Sequence, residues 1–412
     1  MQFADDPRFT IAGISDWTAA GGHGSDASLR TSEALTRDTL DLEPDANPSG
    51  SATCPQDEAA LRVAPGPQPG NFKANHCLGI FYLRTSRYSE AVRYLNAAYR
   101  LDPSNALNEY ALANAYKKAG DASLAGDHLR DLSTSGNTSD LHRLAGQLNE
   151  SLGDPVTAVH EFALAARENP SEQNYLAWGS ELLYHRAVWQ ARDVFAEGVR
   201  VWPQSARMLT ALGAALFACA LYDDAAKRLC QAVDLDPGNS ESYLFMGRIV
   251  VAVPRPLPCI AQRLAAFHRR NPANALADYY LAMSIVKQQP SSVDSSVRQQ
   301  AAGLLHDAVA VDPHCAEAWL ELGNLQARSG DYASAIQLYT NAVDAGPTLT
   351  EAWYRLAIAF DRTGQRDKAR AAFAQHDRIE KQQAAEVEKQ RREIKQFVVS
   401  SAGASVPDKS PN

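Results

Sequence analysis

The sequence predicts an all-α solenoid of about nine stacked helix pairs, and three observations predict it. A unit of about 34 residues recurs from Phe72 onward. Ala, Leu, Glu, Gln and Arg, all good helix formers, dominate the chain after residue 72. Small residues return at two fixed offsets in each unit, where two helices must come close. A chain of 412 residues, 45% hydrophobic and 21% charged, fits either several globular bodies or one extended array. The periodicity decides for the array.

The first copy reads Leu78-Gly79, Tyr82, Ala91, Leu95, Ala98, Pro103, and the fifth repeats it as Leu212-Gly213, Leu216, Ala225, Leu229, Ala232, Pro237. The eighth gives Trp319, Leu322-Gly323, Ala335, Tyr339, Ala342, Pro347; the ninth gives Trp353, Leu356-Ala357, Phe360, Ala369, Phe373. Copies two to four keep step more loosely, through Leu112-Ala113 with Tyr116, Ala145-Gly146 with Phe162, and Trp178-Gly179 with Phe195. Small residues at the eighth and twentieth positions let the two helices of a copy, A and B, approach. Larger residues at positions four, seven, eleven and twenty-four fill the seam, and the closing proline ends helix B. One copy cannot bury its own apolar face, but a stack can.

These residue types at these offsets resemble the tetratricopeptide-repeat family from Phe72 to about Lys381. The resemblance implies a right-handed superhelix in which helix A of each pair lines a concave groove that holds another polypeptide.

Residues 1–71 form an acidic arm with eleven carboxylates against four arginines. Within it Phe9, Ile11, Ile14 and Trp17 belong to a strand-like strip with no second strand nearby, so the arm is expected to dock in cis on the array. A Pro/Gly-rich linker, Ala64-Pro65-Gly66-Pro67-Gln68-Pro69-Gly70, joins it to the array at 72–381. Residues 382–399 read as a C-terminal capping helix and 400–412 as a disordered tail. The sparse apolar set Ile379, Val387, Ile394, Phe397 and Val398 offers a thin seam for a dimer, so a monomer is favoured.

Two copies break the pattern. In the sixth, Pro254-Arg255-Pro256-Leu257-Pro258 separates the helices by a stiff extended turn; in the seventh, an insertion around Gln288-Gln289-Pro290-Ser291-Ser292 delays helix B. Either is a tolerated loop variation or a surface for a partner.

The arm strip, the segments Gly21-Gly22-His23-Gly24-Ser25-Asp26 and Leu29-Arg30-Thr31-Ser32-Glu33, the stretch from Glu172-Gln173-Asn174 to His185-Arg186, and Arg391 to Phe397 together resemble a family of bacterial repeat proteins with such an arm. Its members often carry a hydrophobic leader, which implies a place outside the cytoplasm. This sequence as written begins without one.

Chemistry is not prominent in the linear sequence. A net charge of −8 disfavours nucleic acid, and no run of about 20 apolar residues suggests membrane insertion. The ten histidines are scattered, and no zinc spacing, phosphate loop or nucleophile motif is present. No catalytic residue, cofactor or metal is expected, and the competing reading is an accessory subunit or enzyme with a site under the arm. Of six cysteines, only Cys54 and Cys77 are placed to staple arm to array, the rest reading as buried hydrophobes.

Within the family, positions two, five, six, nine and twelve of helix A point into the groove. In copies one to three these include Lys73, His76, Tyr110, Asn114, Lys117, Arg143 and Gln147, a polar and locally basic stretch suited to an acidic peptide. In copies four to seven they include Leu176, Leu183, Phe217, Leu244, Phe245, Arg248, Tyr279, Tyr280 and Met283, suited to apolar side chains, with about a third of the whole set expected to pack between neighbouring A helices. The expected function is a scaffold or adaptor that binds protein or peptide.

Overall fold

The computed structural model describes Cys54 and residues 70–134, 139–255, 257–288 and 295–401. The arm strip with Phe9, Ile11, Ile14 and Trp17, the core of the seventh-copy insertion and the tail beyond residue 401 lie outside the described residues. Among the described residues there are eighteen α-helices and no strand.

In chain order the helices fall into the nine A and B couples of the repeat. The first three are α1 (Phe72–Arg84) with α2 (Tyr88–Leu101), α3 (Ala106–Lys118) with α4 (Ala122–Thr134), and α5 (Ser139–Leu152) with α6 (Pro155–Glu168). Next come α7 (Glu172–Tyr184) and α8 (Val188–Val201), α9 (Ala206–Ala218) and α10 (Tyr222–Leu235), and α11 (Ser240–Ala252) and α12 (Pro258–Arg270). The last are α13 (Ala275–Gln288) with α14 (Ser295–Val311), α15 (Ala316–Arg328) with α16 (Tyr332–Ala345), and α17 (Thr350–Arg362) with α18 (Arg366–Ser400). The ninth B helix and the expected capping helix are therefore one continuous helix.

The chain divides into two compact units. The described residues of the N-terminal unit are α1 to α7, Cys54 and residues 397–401; the C-terminal unit runs from Arg186 to Gln396. In the N-terminal unit Leu78, Tyr82, Ala91, Leu95 and Leu112 share one core cluster, while Ala113, Leu129, Ala145 and Leu148 share another. In the C-terminal unit Leu320, Ala335, Tyr339, Ala352 and Leu356 do the same work.

The eighth-position glycines show why the pattern holds. A Cβ on Gly213 would stand 2.6 Å from Cγ of Leu229, and one on Gly146 would stand 2.8 Å from the Phe162 ring. Each is the twenty-fourth-position residue of the same copy, so glycine here is a requirement of A–B contact. Between copies, the residue before an A helix caps it in several copies: Asn105 Oδ1 accepts from Asn108 N at 3.0 Å, and Ser205 Oγ accepts from Met208 N at 3.0 Å, whereas Cys315 and Leu349 give α15 and α17 no side-chain cap. Buried asparagines then lock the stack, since Asn108 donates to the Leu95 carbonyl and Asn174 to the Ala165 carbonyl at the end of the preceding B helix. In seven copies the turn from A to B uses a left-handed residue, which is glycine at Gly120, Gly153, Gly330 and Gly364 and Ser86, Arg186 and Ala220 in the other three.

The sixth copy departs for a structural reason. There a Cβ on Gly247 would run into the ring of Tyr280, which belongs to the next A helix, not into its own helix B. Helix α12 instead leans on the preceding B helix: Arg255 pairs with Asp223, Arg263 with Asp234, and Cys230 is disulfide-bonded to Cys259. Cys54 and Cys77 are bonded as well. Cys230–Cys259 corrects the expectation that the remaining cysteines are simple buried hydrophobes; only Cys219 and Cys315 are free and buried. The pairing was hidden because the two residues lie 29 apart in sequence, on successive B helices.

Gly213→Val is expected to lower unfolding stability by about 1–3 kcal/mol, because overpacking against Leu229 outweighs the few tenths gained in helix propensity. Gly303, inside α14 with nothing within 4 Å of a built Cβ, is the control. Gly303→Ala is expected to raise stability by up to about 1 kcal/mol in the same urea titration.

Candidate functional site

In the N-terminal unit, successive A helices place like positions side by side. Tyr110 of α3 stands within electrostatic reach of Arg143 of α5, and burial pushes its hydroxyl up to about 12 against that charge. Lys117 of α3 feels Glu150 of α5, while burial foremost, and then Lys118, pull its ammonium below the ordinary value. Arg143 is buried; its Nη2 donates to Asp140 at 3.1 Å, while Nε and Nη1 are buried with no hydrogen-bond partner. His76 Nδ1 meets Asn108 Oδ1 at 3.0 Å, and burial lowers its pKa. Asn114 and Gln147 are half-buried, and Lys73 is exposed.

In the C-terminal unit the apolar members of the set are largely consumed by packing. Phe217 of α9 and Phe245 of α11 meet with ring centroids 6.1 Å apart, Arg248 lies over the Phe245 ring, and Tyr280 fills the space at Gly247. Phe217, Phe245, Tyr279, Tyr280 and Met283 are all buried, as are Leu176, Leu183 and Arg143 in the other unit, whereas Leu244 and Arg248 are half-buried. Eight of the sixteen are thus buried, more than the third expected, because aromatic side chains at these positions bridge adjacent A helices.

This face also carries carboxylates that the sequence reading passed over. Burial raises the carboxyls of Glu241, Glu317 and Glu321, Glu241 to about 7 with Arg207 and Arg248 opposing. Beside the irregular copies, a cleft of about 710 Å³ opens among Pro258, Ala265, Leu281, Ile285 and Leu304, with His268 and Arg269 at its edge. His268 is engaged, its Nδ1 lying 2.6 Å from Asp278.

Two groups of side chains converge in a way that can hold a cation: Glu150, Glu181 and His185 in the N-terminal unit, and His376, Asp377 and Glu380 on α18. The linear sequence gave no metal-ligand spacing for either, since Glu150 comes from a different helix and the second group lies on one exposed turn. For nucleophilic chemistry the thiols are poor candidates, as burial pushes Cys219 and Cys315 up to about 12. His142 is held by Glu161 at 2.7 Å and Glu168 at 3.4 Å, with the Glu161 hydrogen bond raising its pKa.

Models of the tetratricopeptide repeat match residues 72–105, 176–240, 294–350 and 326–390. The chain carries tetratricopeptide repeats. Each matched segment falls on the helix pairs described above, and the architecture is an all-α tetratricopeptide-repeat solenoid. Similar solved structures include MamA, 23% identical over 42% of this chain and 97% of that one, with a TM-score of 0.33. YrrB, described as a TPR protein with an unusual peptide-binding site, is 18% identical over 46% of this chain and 97% of that one, with a TM-score of 0.37. Yeast Tom70 is 13% identical over 84% of this chain and 91% of that one, at 0.40. At such scores nothing about the function of this chain rests on them. No curated protein matches the chain in sequence.

Glu241 supplies a test of the electrostatics of the C-terminal unit. Its folded carboxyl keeps the proton to about pH 7, whereas the unfolded one releases it near 4.5. The folded state therefore binds more protons between these values, and stability falls as pH rises through that window. Glu241→Gln removes the loss: the variant is expected to match wild type below about pH 4.5 and to exceed it by about 1–3 kcal/mol at pH 8, measured by urea unfolding across pH.

Proposed function

We propose that this repeat protein is a scaffold or adaptor that binds a protein or peptide along its A-helix faces and performs no catalytic step. The observation that carries the reading is the partly open row Tyr110, Asn114, Lys117 and Gln147 on α3 and α5, with the buried Arg143 charge within electrostatic reach of Tyr110. Lys117, with the Arg143 charge behind this row, favours an anionic visitor. This end of the array suits an acidic segment, and Lys73, His76, Lys117 and Arg143 are the residues assigned to it. The C-terminal unit suits apolar side chains, through Leu244 and the half-buried Arg248 beside the Phe245 ring.

The acidic arm is assigned a place in cis over the array. The Cys54–Cys77 bond supports this by fastening the arm to the first A helix. Two disulfides suit an oxidising compartment, which agrees with the extracytoplasmic setting implied by the arm family. A monomer is favoured because Ile379 and Phe397, two of the residues of the thin dimer seam, are buried within the chain itself.

The reading is tested with fluorescent peptides of equal length, one rich in Glu and aliphatic residues and one rich in Lys. The acidic peptide is expected to bind more tightly, with affinity that falls in salt and drops at least about tenfold in Lys117→Ala and Arg143→Ala. Equal binding of both peptides, insensitive to these changes, sinks it. A chain beginning at Gly70 is expected to bind the acidic peptide more tightly than the intact chain; identical affinities remove the arm as a lid while leaving the groove reading intact.

A further inference from the structure

We propose that Glu150, Glu181 and His185 form a binding site for a divalent transition-metal ion, with zinc the best match to the donor set. One donor atom from each residue lies within 4.8 Å of the others. Glu181 and His185 are four residues apart at the end of α7 and project from one face of it. Glu150 joins them from the last turn of α5.

The distances suit an ion between them. Glu181 Oε1 and His185 Nε2 stand 3.2 Å apart. Two donors at about 2.0–2.1 Å from one tetrahedral zinc stand about 3.3–3.5 Å apart. Both atoms are buried, and neither has a hydrogen-bond partner. The two atoms make a close ion pair, and an ion placed between them would be held by both. Two carboxylate oxygens and one imidazole nitrogen make a three-ligand set that leaves a fourth position for water or a ligand.

The register of the repeat gives independent support. Glu181 occupies the tenth position of its copy, and its side chain is 1% exposed. The same position holds Phe81, Ala115, Leu148, Ala215, Ile249, Leu325 and Ala359 in seven other copies, and Ser284 in the remaining one. A carboxylate in an apolar register costs stability unless a positive charge answers it. A bound cation answers it and occupies the atom that has no hydrogen-bond partner. The Phe397 ring, 4.7 Å from that of His185, pins the imidazole and shields one side of the cluster.

The group His376, Asp377 and Glu380 carries no such argument. It is largely exposed on one turn, and His376 Nδ1 already meets Asp377 at 3.0 Å. It serves as the control site.

The test uses the full chain, stripped with chelator and titrated with Zn²⁺ by calorimetry, and with Co²⁺ by visible absorption. One saturable equivalent is expected, with the absorption bands of a four- or five-coordinate cobalt centre. Affinity is expected to fall at least about tenfold in His185→Gln, Glu181→Gln and Glu150→Gln and to be unchanged in His376→Gln. Glu150 is only half-buried, so its variant keeps the test open if the others fail to fold. Absence of saturable binding, or binding lost only in His376→Gln, overturns the site. Glu181 and His185 would then be a plain ion pair.

Discussion

Close approach of two helices at a residue without a side chain is the constraint on which the rest depends. Where Gly79, Gly146, Gly213 and Gly323 stand, the B helix lays Leu95, Phe162, Leu229 and Tyr339 directly against the A-helix backbone. That contact sets the spacing within each pair. The spacing in turn determines which face of the pair is left for the next copy, and so the register of every A helix along its unit. Caps and buried asparagines refine this register without creating it.

The sixth copy shows what happens when the constraint is released. A run of prolines loosens the contact of α12 with α11, and Tyr280 of the following A helix fills the space at Gly247. The displaced helix is then braced sideways by Cys230–Cys259 and by two arginine–aspartate pairs. The cleft beside Leu281 and Leu304 is lined by α12, α13 and α14. A single local change thus propagates into three kinds of compensation, each in a different part of the same unit.

The same repeat logic explains why polar residues are informative when they fall in the wrong register. Arg143 and Glu181 are buried charged groups with donor or acceptor atoms that lack hydrogen-bond partners, in an array whose buried positions are mostly apolar or small. Their cost is borne by a stack that draws its stability from many equivalent pairs. Stacking energy of this distributed kind lets individual positions be spent on recognition.

The all-α class, the nine pairs and the positions of most core residues were legible from sequence alone, because the spacing of Leu78-Gly79, Ala91 and Leu95 reports a helix contact that recurs at fixed distance along the chain. The arm motif lies outside the described residues and was legible only as a pattern. Which groove positions are free was not legible. Phe217, Phe245 and Tyr280 share register positions with exposed residues, and only the size of their neighbours decides that they interlock. Nor could sequence join Glu150 to Glu181 and His185, or Cys230 to Cys259. Periodicity specifies how a copy folds against itself, but contacts between copies join residues some thirty positions apart, and those depend on the angle at which each pair finally rests on the next.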